Sequence, residues 1–160
     1  RTPRLLSSLS SGERASAVRA CAALVSELVP GCDYTREIEL THQLSLGDTV
    51  LLHDGGALAG FALCHAAPLV DGRSRDELRV LKLAVRDESL FDALVPQLAA
   101  FAKASGTARF ALRMQGEYGA LFRRLVDRGA RVRWTDLRMV LAGYEERLPR
   151  SGVALSNWEI

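Results

Sequence analysis

Hydrophobic residues recur every three or four positions in several stretches of the chain, which is the spacing of one buried helix face. The first of these stretches is clearly bounded, because Ser10 and Glu13 fit a capping box and Pro30 follows its last apolar residue. A third helix should kink or begin late at Pro96, since proline removes a hydrogen bond from a helix interior. The predicted helices are SSGERASAVRACAALVSELVPG, the shorter DYTREIELTHQLSLG, ESLFDALVPQLAAFAKASG and EYGALFRRLVDRG.

Between these helices the hydrophobic pattern predicts strands. Two of them flank Asp54-Gly55-Gly56 in DTVLLHDGGALAGFALCH, where Asp-Gly supplies the positive φ of a tight hairpin. LRVLKLAV and ARFALRM are further strands, and ARVRWTDLRMVL gives one or two closing strands. The strand–helix–strand unit around residues 89–105 should be a right-handed parallel crossover. We therefore predict an α/β (α+β) fold, with a mixed sheet of about six to seven strands and helices on both faces.

Composition narrows the class of protein. The chain has 160 residues, of which 48% are hydrophobic and 25% charged, as in soluble globular domains. The net charge of +2 argues against a nucleic-acid or polybasic membrane surface, and no apolar run is long enough to span a bilayer. We expect a single domain over residues 1–160, with residues 142–160 unassigned. The initial arginine leaves open one domain of a longer or tandem protein.

The cysteines and histidines predict no metal site. Cys21, Cys32 and Cys64 are widely spaced without a C-x-x-C pair, which argues against a disulfide framework and favours the reducing cytoplasm. Three histidines, His42, His53 and His65, are too scattered for a metal triad.

The order of the elements resembles the GNAT superfamily of acyl-CoA-dependent N-acyltransferases, as a divergent member, over roughly residues 5–141. GDTVLLHDGGALAGFALCH is similar to the family's second and third strands, and LRVLKLAV to its fourth. LVPQLAAFAKASG resembles the following helix, LFRRLVDRGARV the late helix, and TDLRMVL the closing strand.

The resemblance implies a sheet splayed between the fourth and fifth strands, and a cofactor, acetyl-CoA or CoA, in the notch. The pantetheine arm would pair with the backbone of Leu83, Ala84 and Val85. The pyrophosphate would lie on the helix start at Ser89 and Leu90, where free amides attract anions. In this family an amine attacks the thioester directly in a ternary complex, with a carboxylate or water as base and a tyrosine as acid.

The segment after the fourth strand departs from the family. The family's phosphate loop reads Q/R-x-x-G-x-G/A, whereas this chain has RDESLFDA and neither glycine. Asp87 and Glu88 suit a helix start but would repel a pyrophosphate, and Arg86 offsets only part of that charge. We favour Asp87, Glu88 and Ser89 as helix caps.

The acid–base candidates are Tyr118 and Glu77. The family's tyrosine lies about one helical turn before the glycine that ends the late helix. Counting back one turn from Gly129 in this chain reaches Leu125, which cannot donate a proton. Tyr118 lies almost two turns before Leu125, so we favour a helix-start residue with an exposed hydroxyl. Glu77 is favoured as a solvated carboxylate at a strand edge. Lys82 interrupts an apolar strand, so it either points into the cleft or extends to the surface.

Two functions remain open. The favoured one is a GNAT-type N-acetyltransferase acting on a small-molecule or peptide amine, without nucleic acid or membrane as partner. The alternative is a non-catalytic GNAT-like domain with a regulatory, ligand-binding or partner-binding role, suggested by the missing glycines and tyrosine. Either could form a homodimer or be fused to a second GNAT domain.

Overall fold

The computed structural model describes residues 2–68, 76–137, 139, 141–144 and 149–157. Short 3-10 turns lie at Leu6–Ser8 and Gly116–Tyr118. The four helices are α1 (Ser11–Leu28), α2 (Thr35–Gln43), α3 (Glu88–Ala104) and α4 (Gly119–Asp127). The six strands are β1 (Arg4–Leu5), β2 (Gly47–Asp54), β3 (Ala57–His65), β4 (Leu78–Val85), β5 (Phe110–Leu112) and β6 (Val153–Ser156).

The helix boundaries follow from local chemistry. The predicted capping box of α1 is confirmed, because Glu13 N donates to Ser10 Oγ and the Glu13 carboxylate accepts from Ser10 N at 3.0 Å. Helix α3 begins at Glu88 and continues through Pro96, so a late start at the proline is wrong. Gly106 and Gly129 take positive φ just beyond α3 and α4, which ends each helix.

The sheet is mixed, as predicted. Its order is β1-β2-β3-β4-β5, with β6 paired to β4 as well. The first four strands are antiparallel neighbours, and β4 and β5 are parallel across the α3 crossover. The β2–β3 turn uses Gly55 at φ 56° and Gly56 at φ 88°, the pair of positive angles that a tight hairpin turn requires.

Helices cover both faces of the sheet, which confirms the predicted layers. On one face, Phe91, Leu94 and Leu98 of α3 pack against β4 and its neighbours and are fully buried. On the other face, Val25 of α1 and Ile38 of α2 pack against β2 and β3. Within the described parts of the chain, no helix has both the length and the apolar character needed to cross a membrane.

Two predictions about the late part of the chain are wrong. The described residues 130–137, 139 and 141 form no strand, whereas the closing strand is β6, in the region left unassigned. Positions 138 and 140 of the predicted strand lie outside the described residues. The apolar spacing in EYGALFRRLVDRG predicts a buried helix face, but Phe122 and Val126 of α4 are 41% and 43% exposed, because only Leu121 of that helix reaches the sheet fully.

Candidate functional site

The candidate site is the notch where β4 and β5 separate. β5 pairs with β4 only over Leu78, Arg79 and Val80, whereas β3 pairs with the opposite edge as far as Val85. The predicted splay between the fourth and fifth strands is therefore present. The vacated part of the β4 edge, residues 82–85, pairs with β6 in antiparallel register. The chain thus places one of its own strands in the notch.

The hydrogen-bond alternation of the β4–β6 ladder shows which backbone groups face the notch. Asn157 N donates to Leu81 O at 2.7 Å, which makes these two opposite residues a hydrogen-bonded pair. Such pairs alternate along an antiparallel ladder, so the backbone groups of Leu83 and Val85 also face β6. Those of Ala84 face β3. Two of the three strand residues expected to hold a cofactor therefore present their backbone to the notch.

Strand β6 is packed as well as paired. Val153 and Leu155 are 0% and 2% exposed and join the core cluster under α3. Burying each of these side chains is worth about 1.5–3 kcal/mol. Gly152, at φ 77°, leads into the strand, and a Cβ there would lie 2.4 Å from Val85 O. A residue without a side chain is therefore required for β6 to approach β4 this closely.

Tyr118 lies in the notch, contrary to the expectation of an exposed hydroxyl. It is half-buried at the start of α4, and its hydroxyl accepts from Ala154 N at 3.1 Å. A longer contact of 3.4 Å joins the same hydroxyl to Ala154 O. Burial raises the pKa of Tyr118, and the hydrogen bond with the Ala154 backbone partly opposes that shift. The nearby carboxylates of Glu117 and Glu88 raise the pKa further. The phenol therefore stays protonated at neutral pH and can donate.

Lys82 lies on the opposite face of β4 and also contacts β6. It is 4% exposed, so the interpretation that it points inward is correct and the alternative of extension to the surface is not. Its ammonium donates to Ser156 Oγ at 2.8 Å and lies 5.1 Å from the centre of the Tyr34 ring. Burial lowers the pKa of Lys82, although Glu37 opposes that shift. Tyr34, which the sequence analysis missed, hydrogen-bonds to Ser156 as well.

The start of α3 is already capped by a carboxylate. Asp87 Oδ1 accepts from Ser89 N at 2.7 Å, and Asp87 O accepts from Leu90 N at 3.1 Å. These hydrogen bonds to Ser89 lower the pKa of Asp87, which is therefore ionised at neutral pH. The two amides that the resemblance assigns to a pyrophosphate are thus used by Asp87, as the capping interpretation predicts.

Arginines of α4 lie against the first turns of α3. Arg124 contacts Glu88 at 3.3 Å and Asp92 at 3.6 Å, and Arg128 contacts Asp92 at 2.9 Å. These arginines lie more than 30 residues after the start of α3 in the sequence. The structure brings their positive charge to the helix start where an anion was expected.

Glu77 lies at the other end of β4. Its side chain is 17% exposed and makes ion pairs with Arg109, at 3.4 Å, and with Arg133. The expected solvated carboxylate is therefore a largely covered ion-pair partner. It links the start of β4 to the segment that follows α4.

The remaining titratable candidates have structural contacts. His65 Nε2 lies 2.9 Å from Thr41 Oγ1, and burial, with Arg79, lowers its pKa. Burial raises the pKa of Cys21 to about 12 and that of Cys64 further, so both are inert core thiols. Among the described residues, no cluster of histidine, cysteine and carboxylate side chains could hold a metal ion.

The notch in this conformation does not fit acetyl-CoA. A pantetheine arm along β4 would need the backbone groups of Leu83 and Val85, which β6 uses. Phosphates at α3 would need the amides of Ser89 and Leu90, which Asp87 uses. Both sets of groups exist, but neither is available while β6 and Asp87 keep these positions.

Comparisons with known proteins match the architecture. No protein-family profile and no curated protein matches the sequence significantly. An aminoglycoside N-acetyltransferase in complex with CoA is 16% identical, at a TM-score of 0.57, over 83% of this chain and 90% of that one. A ribosomal-protein-alanine N-acetyltransferase from Brucella melitensis is 17% identical, at 0.57, over 79% and 93%. A transcriptional regulator from Bacillus halodurans is 14% identical, at 0.62, over 88% and 99%.

These identities are too low to transfer an activity or a substrate, so what the proteins share is the architecture. The mixed sheet, the parallel β4–β5 pair across α3 and the splay beyond Val80 are all present in this chain. The chain therefore has the fold of the GNAT acetyltransferases.

Proposed function

We propose that the chain is an N-acyltransferase that moves an acetyl group from acetyl-CoA to a primary amine. The observation that carries the proposal is the separation of β4 from β5 after Val80, which opens a notch leading to the start of α3. In this reaction a bond forms between the amine nitrogen and the acetyl carbon, and the carbon–sulfur bond breaks. The amine loses a proton and the departing thiolate gains one.

Tyr118 is the proposed proton donor to the thiolate. Its hydroxyl lies in the notch, next to the β4 edge, and its raised pKa keeps the proton in place at neutral pH. We assign Glu77 a structural role, because its two arginine partners hold it near the start of β4, at the other end of the strand from Val85.

The backbone of Leu83 and Val85 would supply most of the grip on the cofactor. The amide of Ser89 would face the phosphates once the Asp87 carboxylate turns away from it, and the amide of Leu90 would have to exchange the Asp87 carbonyl for them. Arg124, at the same helix start, would offset the charge of the phosphates by exchanging Glu88 for them. This arrangement would replace the two glycines that the phosphate loop lacks.

The acceptor is proposed only as a primary amine, on a small molecule or a peptide. The similar structures include one enzyme named for aminoglycosides and one named for ribosomal-protein alanine, so resemblance does not narrow the class.

Calorimetric titration with acetyl-CoA tests the cofactor and its position. We expect saturable binding, and we expect Ser89→Glu to weaken it at least tenfold by placing a carboxylate among the phosphates. Ser11→Glu is the matched control, since it adds the same charge to an exposed helix start on α1. No binding up to millimolar acetyl-CoA, by the parent chain and by a variant in which β6 cannot pair with β4, would refute the proposal. Equal acetyl-CoA affinity for Ser89→Glu and Ser11→Glu would show that the phosphates do not bind at the start of α3.

A second candidate is a non-catalytic GNAT-like domain with a regulatory or binding role. One observation supports it, the occupation of the notch by β6. The acetyltransferases among the similar structures favour the first candidate. Turnover of any amine with acetyl-CoA would exclude the second.

A further inference from the structure

We propose that β6 is a reversible internal inhibitor, which must leave the edge of β4 before an acyl-CoA can bind there. The inference rests on the proposed function, because it names what regulates the same site. Three features of β6 support this role: the backbone groups that β6 uses, the side chains that it covers and the segment that connects it to α4.

The first feature is direct competition for the same atoms. The backbone N–H and C=O groups of Leu83 and Val85 face the notch, and they pair there with Leu155 and Val153 of β6. An extended ligand along β4 makes the same ladder bonds that a strand makes. The two therefore exclude one another, and neither can be accommodated beside the other.

The second feature is that β6 also covers the proposed proton donor. The Tyr118 hydroxyl is bonded to Ala154 N, on the edge of β6 that faces away from β4. On the other side of β4, Ser156 accepts from Lys82 at 2.8 Å. Release of β6 would thus free the binding edge and the phenol in one event.

The third feature is that β6 can leave without breaking another element. The described residues between α4 and β6, in the ranges 128–137, 139, 141–144 and 149–152, contain no helix and no strand. Those from 128 to 144 are exposed, among them Trp134 at 56% and Leu137 at 89%. Because the described part of this connection holds no helix or strand, β6 can undock locally while the sheet from β1 to β5 stays intact.

Competition has a measurable consequence for affinity. When only a fraction of the molecules has the edge free, the apparent dissociation constant equals the intrinsic one divided by that fraction. A substitution that weakens β6 docking, but leaves β4 unchanged, must therefore tighten acetyl-CoA binding. Substitutions that disturb β4 itself would be expected to weaken acetyl-CoA binding.

Gly152→Ala is the variant that separates these outcomes. Its Cβ would meet Val85 O at 2.4 Å and Arg86 O at 2.6 Å, so β6 cannot keep its approach. Gly143→Ala is the control, because Gly143 also has positive φ, at 83°, but has no atom within 4 Å of the added Cβ. We expect Gly152→Ala to bind acetyl-CoA at least tenfold more tightly, with Gly143→Ala equal to the parent chain. Equal affinity in all three overturns the inference.

Amide hydrogen exchange of the parent chain gives a second readout that needs no variant. The amides of Val153, Leu155 and Asn157 face β4 and should be protected without ligand. Saturating acetyl-CoA should make them exchange faster, while protection in β3 is kept. Binding with β6 still protected overturns the inference and leaves the proposed function standing. Absence of binding by both the parent chain and Gly152→Ala refutes the proposed function itself.

Discussion

At the scale of single residues, Gly60 decides how closely β3 approaches the site strand. A Cβ at Gly60 would lie 2.6 Å from Val85 Cγ1 and 3.0 Å from Ala84 O, and both neighbours are fully buried. The crowding involves backbone, so it cannot be relieved by a rotamer change alone. Val85 would have to move, together with the end of β4 that faces the notch.

Gly60→Ala should therefore destabilise the fold by about 1–3 kcal/mol, the usual cost of overpacking a core. Gly12→Ala is the control, since Gly12 lies in the first turn of α1 with no atom within 4 Å of the added Cβ. That variant should be neutral or slightly stabilising, because alanine loses less backbone entropy than glycine. Urea denaturation measures both. A Gly60→Ala midpoint equal to the parent's would contradict the packing described.

His65 makes stability depend on pH. Burial lowers its pKa below the ordinary value of 6.5, so the unfolded chain takes up a proton at a higher pH than the folded one. Between the two pKa values the unfolded state binds more protons, and stability must fall as the pH falls. Above about pH 6.5 both states are neutral and the contribution vanishes.

His65→Gln removes this titration but can keep a hydrogen bond to Thr41. We expect its urea midpoint to decline less than the parent's between about pH 7 and pH 5. His53, whose pKa burial also lowers, would leave part of the decline in place. Parallel pH profiles for the two chains would show that His65 is not protonated on unfolding.

Residues also show where local pattern misleads. Tyr118 was expected to expose its hydroxyl, because its position along the helix was counted from Gly129. The structure instead places Tyr118 before α4, at the end of a 3-10 turn, where a helical count does not apply. Its partner Ala154 is 36 residues further along the chain. No local pattern in either segment carries information about that contact.

At the scale of elements, the start of α3 combines two opposed demands. A carboxylate at Asp87 favours the helix by capping Ser89 N, and the same charge disfavours a bound phosphate. The sequence showed this conflict directly, because both roles depend on residues adjacent to the helix start. The structure resolves it in favour of the cap in the conformation described.

Asp87→Ser separates charge from capping. Serine keeps an oxygen that can accept from the amide of Ser89, so thermal stability should change little. The negative charge is lost, so acetyl-CoA affinity should rise roughly two- to fivefold, as expected for one charge at a helix terminus. Asp87→Ala gives the same gain in affinity with a lower thermal midpoint. Unchanged affinity in both variants would place the phosphates away from α3.

Strand β6 shows that the hydrophobic pattern of a segment alone does not decide whether the segment forms a strand. The apolar alternation of residues 130–141 is typical of a strand, but the described residues there pair with no strand and are exposed. The four residues Val153–Ser156 form a weaker pattern, with Val153 and Leu155 on one face after a glycine. They become a strand because β4 offers an unpaired edge. Whether a strand edge is available depends on the tertiary structure, and this outweighs the intrinsic β-propensity of a short segment.

At the scale of the whole molecule, the order of helices and strands could be predicted from the sequence, whereas the strand that fills the notch could not. The helices α1 to α4 and strands β2 to β5 follow from periodicity and turn residues within each segment. The mixed sheet then follows from the rules for crossovers and hairpins. The notch was predicted, but β6 inside it was not, because its pairing with β4 joins residues 68 to 74 positions apart, from Val85 and Val153 to Lys82 and Ser156. Contacts of that range leave no periodic trace in the sequence.

The edge of β4 has two competing partners in the proposed mechanism. In the described structure it pairs with β6, which completes the sheet and buries Val153 and Leu155. With acyl-CoA it would pair with the cofactor, and Tyr118 would turn from Ala154 to the departing sulfur. The proposed catalytic state would therefore differ from the described one in the position of one short strand and in the side chains of Asp87, Arg124 and Tyr118.

The most direct test of the central claim is acetyl transfer itself, measured with isotopically labelled acetyl-CoA and a panel of primary amines. We expect labelled product that depends on the protein and is formed faster by Gly152→Ala. In Tyr118→Phe its formation should fall at least tenfold although acetyl-CoA affinity is not reduced, because loss of the phenol removes the proton donor and also the hydrogen bond to Ala154 of β6. Tight acetyl-CoA binding without labelled product from any amine, in the parent chain and in Gly152→Ala alike, would contradict the claim.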